Sequence, residues 1–453
     1  MHALDRSKII ETVKTSDLIV CGGGTAGIAA AVSAAARGLK VIIIEKETFL
    51  GGTMTGALVQ PFMNNHADAE LTTWLNPHFQ ELLIAEMKNL TTATGCCDNQ
   101  SQRAFDPILL TIALENIAVA HGIDIWYSTT LIGCNLKNGS ISSILVSNKS
   151  GLIELNGRIF ADCTADLDLG VMCGLDFYDG TGSENKHQAI SLRFTMSNVN
   201  MNRAMAFFEE KKKENILGGW IEKQTPKGVM SYMYKLFPDA EKWDNAECNQ
   251  FYIIPGRTGE VNFNCPEIHG YDGTNGEDVS HVLIELRKKI LRLRDNMIKY
   301  FPGFEESYIS AIAPNLGIRD TKRLKGLYTF TEEDVVNGSK FDDGVVMGNY
   351  GIDIHIPGFS EAVNGKHRPD ANDYYEIPYR CLISGKIDNY ITAGRTMSST
   401  FRGLAAARIL NIVTGMGWAA GIAASLAVRE NKKINSLDGS SVRKLIFAPP
   451  SPK

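Results

Sequence analysis

The chain has 453 residues, 44% of them hydrophobic, nine cysteines and a formal net charge of −5 at pH 7. That length allows two or three well-formed cores, and the lack of a basic field disfavours nucleic acid and favours a small-molecule substrate as partner. Irregularly spaced cysteines in an odd number read as reduced thiols of an intracellular protein, and the charged N-terminal MHALDRSKIIETVKTSD interrupts any signal-peptide core.

In chain order, residues 17–45 read as strand, turn, helix, strand: Leu18-Ile19-Val20, a glycine turn, an Ala-rich run to Arg37, then Val41-Ile42-Ile43-Ile44. Short, wholly apolar strands suit a parallel sheet covered on both faces, and Gly38 stands where the helix would stop. Residues 105–121 carry helical spacing up to Gly122, with a strand predicted over 123–127. From there to about residue 161 the chain alternates in short β-like runs, with Lys137-Asn138-Gly139 and Asn148-Lys149-Ser150-Gly151 as turns, so a β-meander is predicted. Between about 176 and 375 the strand-glycine-helix grammar stops, and a separate lobe is expected, with a helix over 279–300 and the run Lys211-Lys212-Lys213 on a solvated helix face. The apolar stretches at 18–20 with the Ala-rich segment after it, and at 416–428, are shorter than the ~20 residues of a spanning helix. A soluble cytoplasmic protein without membrane insertion is the expectation; homo-oligomerisation is left open.

Cys21-Gly22-Gly23-Gly24-Thr25-Ala26-Gly27 satisfies G-x-G-x-x-G between a strand and a helix. Gly22 permits the tight turn, Gly24 lets the backbone approach a pyrophosphate, and Gly27 lets helix and strand pack closely, while the free N–H groups around Thr25 and Ala26 face the anion. Glu45, with Lys46 beside it, closes the second strand about twenty positions on, where a carboxylate accepts hydrogen bonds from a ribose diol. A 2′-phosphate there would meet like charge. The alternative is a glycine-rich turn in another α/β fold, and the unit alone does not choose between NAD and FAD.

Further segments resemble the glutathione-reductase-type FAD-binding superfamily and, within it over most of the chain, a bacterial family of FAD-dependent oxidoreductases. Gly51-Gly52-Thr53 resembles the glycine pair whose backbone approaches the cofactor phosphates and ribityl chain. Residues 159–166 resemble a strand-end "DATGD" element, with Ala165 in place of the usual glycine. Tyr375-Glu376-Ile377-Pro378-Tyr379-Arg380 and the segment 388–395, including Gly394 and Arg395, resemble the returning strand, and Gly417-Trp418-Ala419-Ala420-Gly421 resembles a final helix whose N-terminus faces the flavin pyrimidine edge. Leu131 occupies the position whose backbone meets the adenine. The resemblance implies FAD as cofactor and an α/β fold: a Rossmann-like FAD-binding domain, parallel sheet plus β-meander, formed by residues 1–175 and 376–453, with an inserted α+β substrate or cap lobe over 176–375.

The motifs that would narrow the chemistry are missing: no C-x₄-C pair follows Gly52, no second strand-associated G-x-G-x-x-G appears, there is no tryptophan-rich halogenase signature, and no Cys/His cluster has metal spacing. The resemblance instead points to Gly317-Ile318-Arg319-Asp320-Thr321-Lys322-Arg323, similar to a "GxRET" element, and Asp353-Ile354-His355, similar to a "DIH" element, while Arg395, Arg402 and Arg408 flank the flavin segment. Arginine suits a carboxylate clamp and histidine moves protons near neutral pH; each arginine could instead cap a helix or pair with Asp320, Asp342 or Asp353. The expected catalytic residues are Arg319, His355, Arg395 and Arg402. They would serve hydride transfer between a small polar, anionic substrate and flavin N5, with the electron donor or acceptor left open. The alternatives are a fumarate-reductase-like reductase of an activated C=C bond, in which arginine protonates the product, and a non-catalytic flavin-binding protein.

Overall fold

The computed structural model describes residues 9–60, 62–63, 66–68, 73–91, 105–182, 186–213, 221–222, 231–233 and 250–447. Cys96, Cys97 and the tail beyond Phe447 lie outside them, as do the side chains of Lys211 and Lys212.

Strand β1 (Ile9–Cys21) leads through the glycine turn into helix α1 (Thr25–Ala35) and strand β2 (Val41–Ile44). It begins nine residues before the predicted Leu18, because its first residues pair with Leu152 and Ile153 of the meander. β2 pairs in parallel with β3 (Asp124–Trp126). After β4 (Thr130–Lys137) and β5 (Ser140–Asn148), the twelve-residue β6 (Gly151–Asp162) belongs to two structures. Its first half pairs antiparallel with β5 and its end lies parallel to the returning strand Tyr390–Thr392, while β1 runs parallel to it along both halves. Both residues of the β4–β5 turn, Asn138 and Gly139, have positive φ, 52° and 77°, as a two-residue hairpin with the right-handed strand twist requires.

The central parallel strands are apolar on both faces where both are covered. Leu18, Val20, Ile43 and Ala161 pack towards α1 and the long helix Leu410–Glu430, while Ile19, Ile42, Ile44 and Phe160 pack towards Leu167, Leu169 and Tyr390. The 410–430 helix has 21 residues, longer than the 416–428 stretch suggested, and 89% of its apolar window is buried inside the protein.

The inserted region holds a six-stranded sheet with Val261–Phe263, Phe194–Ser197 and Tyr308–Ile312 adjacent in that order. Alternation sorts its side chains. Phe194, Met196, Phe251, Val261 and Phe263 pack on Val282, Leu286, Ile290, Leu293 and Met297 of the helix Gly276–Tyr300, whose N-terminus Asn275 caps. Arg193, Thr195, Tyr252 and Asn262, at the intervening positions, are buried on the opposite face. This second core draws on residues 190–316. The expected lobe boundary at 375 falls inside the first core instead, because Phe330, Val345, Val346, Ile352 and Ile354 pack with the 410–430 helix and its neighbours.

Candidate active site

The glycine turn forms a cradle that side chains would fill. A Cβ on Gly27 would lie 1.9 Å from the Gly22 carbonyl oxygen, and one on Gly22, whose φ is +96°, would lie 2.5 Å from that of Cys163. Gly24 precedes α1, whose N-terminus has no side-chain cap and no acidic residue in its first turn. Its amides are therefore open to an anion. Gly51 N–H donates to the Gly23 carbonyl at 2.9 Å, and a Cβ on Gly52 would stand 2.9 Å from Gly24 Cα. Thr25 Oγ1 donates to the Gly51 carbonyl at 3.0 Å and lies 3.5 Å from Thr53 Oγ1. Gly394, with φ +98°, approaches from the returning strand, where a Cβ would meet that of Ala26 at 3.4 Å. Gly22, Gly24, Thr25, Ala26, Gly27, Gly51, Gly52, Thr53 and Gly394 thus converge on the N-terminus of one helix.

Glu45 stands beside the glycine turn at the end of β2. Its Oε2 accepts from Gly23 N–H at 2.7 Å and its Oε1 from Glu47 N–H at 2.9 Å, leaving carboxylate lone pairs for a diol. Burial pushes its pKa up against the pull of those two N–H donors. Lys46 beside it is exposed. Thr129, two residues before Leu131, donates its N–H to the Glu45 carbonyl at 2.9 Å, which sets the start of β4 next to this carboxylate. Ala165 has φ +73°, which explains why glycine is usual at this position. Its carbonyl accepts from Arg395, whose guanidinium also meets Asp166 at 3.2 Å. An uncapped helix end, a backbone cradle and a strand-end carboxylate fit FAD.

One expectation is corrected. Residues 417–421 do not begin a helix; they lie two turns inside the 410–430 helix. A Cβ on Gly417 would meet the Ala26 carbonyl oxygen at 2.1 Å and one on Gly421 that of Ala30 at 2.3 Å, so these glycines let two helices cross closely, with Ala419 and Ala420 buried inside the crossing. The helix N-terminus is at Leu410, again without a side-chain cap or an acidic first turn.

Arg319 and His355 do come together. Glu267 Oε2 is 3.1 Å from the Arg319 guanidinium and 3.2 Å from His355 Nδ1, and His355 Nε2 is 3.3 Å from Asp353 Oδ1. Arg408 closes the chain at 3.1 Å from Asp353 Oδ2, onto which Tyr350 also donates. Of the carboxylates weighed for pairing, Asp353 takes Arg408, while Asp320 binds His187 and the Gln188 N–H. Burial alone would raise Glu267, but the His355 hydrogen bond and the Arg319 charge outweigh it and hold its carboxyl down at about 2. Asp353 is held below the usual range in the same way by His355 and Arg408 against its burial. Backbone pairing brings these residues in: Gly317 and Ser191 exchange two hydrogen bonds, and Ala189 N–H donates to the His355 carbonyl. Arg395 stays at the cofactor cradle, and Arg402 covers Phe359 and donates to the Ala362 carbonyl. Neither joins the Arg319–His355 group.

Sequence reasoning misses Glu267, Gln188 and the polar sheet face. Arg193 is 5% exposed; its guanidinium donates to the Leu58 carbonyl at 3.4 Å, Asn262 Oδ1 at 3.2 Å and Asn264 Oδ1 at 2.6 Å, and packs over Tyr252. Burial lowers it to about 10, so it stays charged at neutral pH. Leu58 follows Gly51-Gly52-Thr53, so this face of the inserted sheet looks onto the segment leaving the cofactor cradle.

A family model described as "FAD dependent oxidoreductase" matches residues 17–446. Among curated proteins, 4-oxocyclohex-2-ene-1-carboxylate 5-dehydrogenase of Sinomonas cyclohexanicum is 46% identical over 52 residues, a match that spans 12% of this chain and 8% of that protein. Similar solved structures include a geranylgeranyl bacteriochlorophyll reductase-like protein of Thermoplasma acidophilum, at 13% identity and TM-score 0.47, covering 96% of this chain and 91% of that one. Another is p-nitrophenol 4-monooxygenase of Pseudomonas putida, at 12% identity and TM-score 0.46, covering 96% and 86%.

Proposed function

The chain belongs to the FAD-dependent oxidoreductase family, and on that premise we propose that it is a dehydrogenase that moves a hydride between a small anionic organic substrate and flavin N5, with His355 carrying the accompanying proton. The placement of His355 carries this reading: each ring nitrogen faces a carboxylate oxygen, Glu267 on one side and Asp353 on the other. A proton on either nitrogen has a hydrogen-bond acceptor beside it, which supports the reading of His355 as the proton carrier. Arg319 and Arg408 hold the two carboxylates in place from outside. Bound FAD supplies hydride exchange at N5.

Arg193, unlike Arg319 and Arg408, meets no carboxylate among the described residues, which favours an anionic substrate. The short match to a dehydrogenase whose name specifies a carboxylate substrate agrees with this.

The test is anaerobic: purify the protein, release the flavin with acid to identify it, and follow bleaching of the visible band with hydroxy acids, amino acids, unsaturated carboxylates, amines and NAD(P)H. Bleaching by one organic acid, slowed in His355→Gln with flavin retained, is the expected result. Bleaching by NAD(P)H alone, or by photoreduction with no accepted donor, would overturn the reading in favour of a reductase or a flavin binder.

A further inference from the structure

A sheet face is ordinarily either apolar and buried or polar and wet, whereas the face carrying Arg193, Thr195, Tyr252 and Asn262 is polar and buried, with Asn262 fully inaccessible. Arg319 and Arg408 each meet a carboxylate that also holds His355. Arg193 makes no ion pair among the described residues; it donates to neutral oxygens of Leu58, Asn262 and Asn264. A buried charge without a counter-charge is costly, and persists where another requirement holds it.

A second observation points to what meets that requirement. Asn262 Oδ1 is engaged by Arg193, but Nδ2 of the same carboxamide is buried without a partner among the described residues. Among the described residues, an N–H donor without an acceptor and a cation without a counter-charge therefore sit side by side. Gln188 repeats the pattern towards His355: its Oε1 accepts from His355 N–H at 3.3 Å, and its buried Nε2 has no partner among the described residues. A simple bridge between the inserted sheet and the Leu58 carbonyl would need neither the positive charge nor the spare donor.

We propose that this buried face is the subsite for the substrate's carboxylate, with Arg193 supplying the charge and Asn262 Nδ2 a hydrogen bond, so that Arg319, the arginine expected from sequence, positions Glu267 rather than the substrate. The proposal rests on the hydride-transfer reading above. It assigns the open donors of α1 to the cofactor phosphates and Arg193, which meets the Leu58 carbonyl, to the substrate.

The experiment titrates the FAD-loaded enzyme with benzoate and malonate, and with benzamide as the neutral control, following perturbation of the visible flavin band. Wild type should bind at least one carboxylate saturably and benzamide far more weakly. Asn262→Asp places a carboxylate of nearly the same shape beside Arg193, neutralising it from within; this variant and Arg193→Met should bind the carboxylate at least about tenfold more weakly. If Arg193→Met fails to fold, Asn262→Asp decides. Equal binding of benzoate and benzamide by wild type, or undiminished carboxylate binding by Asn262→Asp, overturns the proposal. The two readings fail separately. Carboxylate binding with this dependence but no donor that bleaches the flavin keeps the subsite and removes the hydride transfer, whereas equal bleaching in wild type and Asn262→Asp keeps the hydride transfer and removes the subsite.

Discussion

Arg319 and His355 converge on a single atom, Glu267 Oε2, at 3.1 and 3.2 Å. Two residues 36 positions apart in the chain are thus oriented by a third residue that lies in a short strand of its own, Glu267–Ile268, paired with Ile190–Ser191. Glu267→Gln removes the charge that both partners share while keeping its shape. Turnover should fall roughly 10- to 100-fold, as losing the orienting partner of a proton-transfer group does, with FAD stoichiometry unchanged. Anaerobic reduction rates and acid-released flavin measure the two quantities. A variant that loses flavin and activity in parallel would place Glu267 at the cofactor instead.

The same carboxylate sets a pH dependence of stability. Its folded pKa, about 2, lies below the ordinary value of 4.5. A depressed carboxylate stabilises the fold at pH values above its unfolded pKa, and that contribution is lost as pH falls through the folded pKa. The stability of the FAD-loaded protein should therefore fall between about pH 4.5 and 2 by at most roughly 3 kcal/mol from this group. Urea midpoints measured down this range should converge for wild type and Glu267→Gln, since protonation removes what the variant already lacks. A constant gap between the two curves would show that Glu267 titrates at its ordinary value.

The strand-glycine-helix unit is readable in the sequence because each glycine answers a backbone requirement: Gly22 and Gly27 are replaceable by no residue with a Cβ. The meander is readable because Asn138-Gly139 dictates its turn. Arg319 and His355 are legible by resemblance alone. Arg193 is not, because in Leu192-Arg193-Phe194-Thr195-Met196 the apolar residues mark one face as core, and alternation then assigns arginine to solvent. The Leu58 segment, distant in sequence, meets Arg193 on that second face, which alternation within one strand does not reveal. The helix start at Leu410 is hidden for a related reason: no Ser, Thr, Asp or Asn caps it, so its Gly/Ala-rich middle draws attention instead.

Gly52 offers a direct test of the cradle. It has φ +55°, and a Cβ there would press on Gly24 Cα at 2.9 Å, backbone that cannot step aside without opening the turn before α1. Gly52→Ala should weaken FAD binding roughly 10- to 100-fold, through left-handed strain of about 1–2 kcal/mol together with displacement of Gly24. The measurement is FAD titration of deflavinated protein. Wild-type affinity in this variant would mean that the 51–53 segment does not shape the phosphate site.

Gly421 separates helix packing from cofactor contact. A Cβ there would lie 2.3 Å from the Ala30 carbonyl oxygen and 2.7 Å from Ser33 Cβ, within the crossing of the 410–430 helix and α1. Gly421→Ala gains about 1 kcal/mol of helix propensity but overpacks a buried contact at a cost of about 1–3 kcal/mol or more. Because the obstruction is backbone rather than a movable side chain, the cost should prevail and lower the melting temperature. The visible spectrum and reduction rate of the folded, FAD-loaded variant should stay as in wild type, because Gly421 lies towards the far end of α1 from the glycine cradle. The opposite pattern, unchanged melting with a shifted flavin band, would return residues 417–421 to the flavin face and contradict the helix start at Leu410.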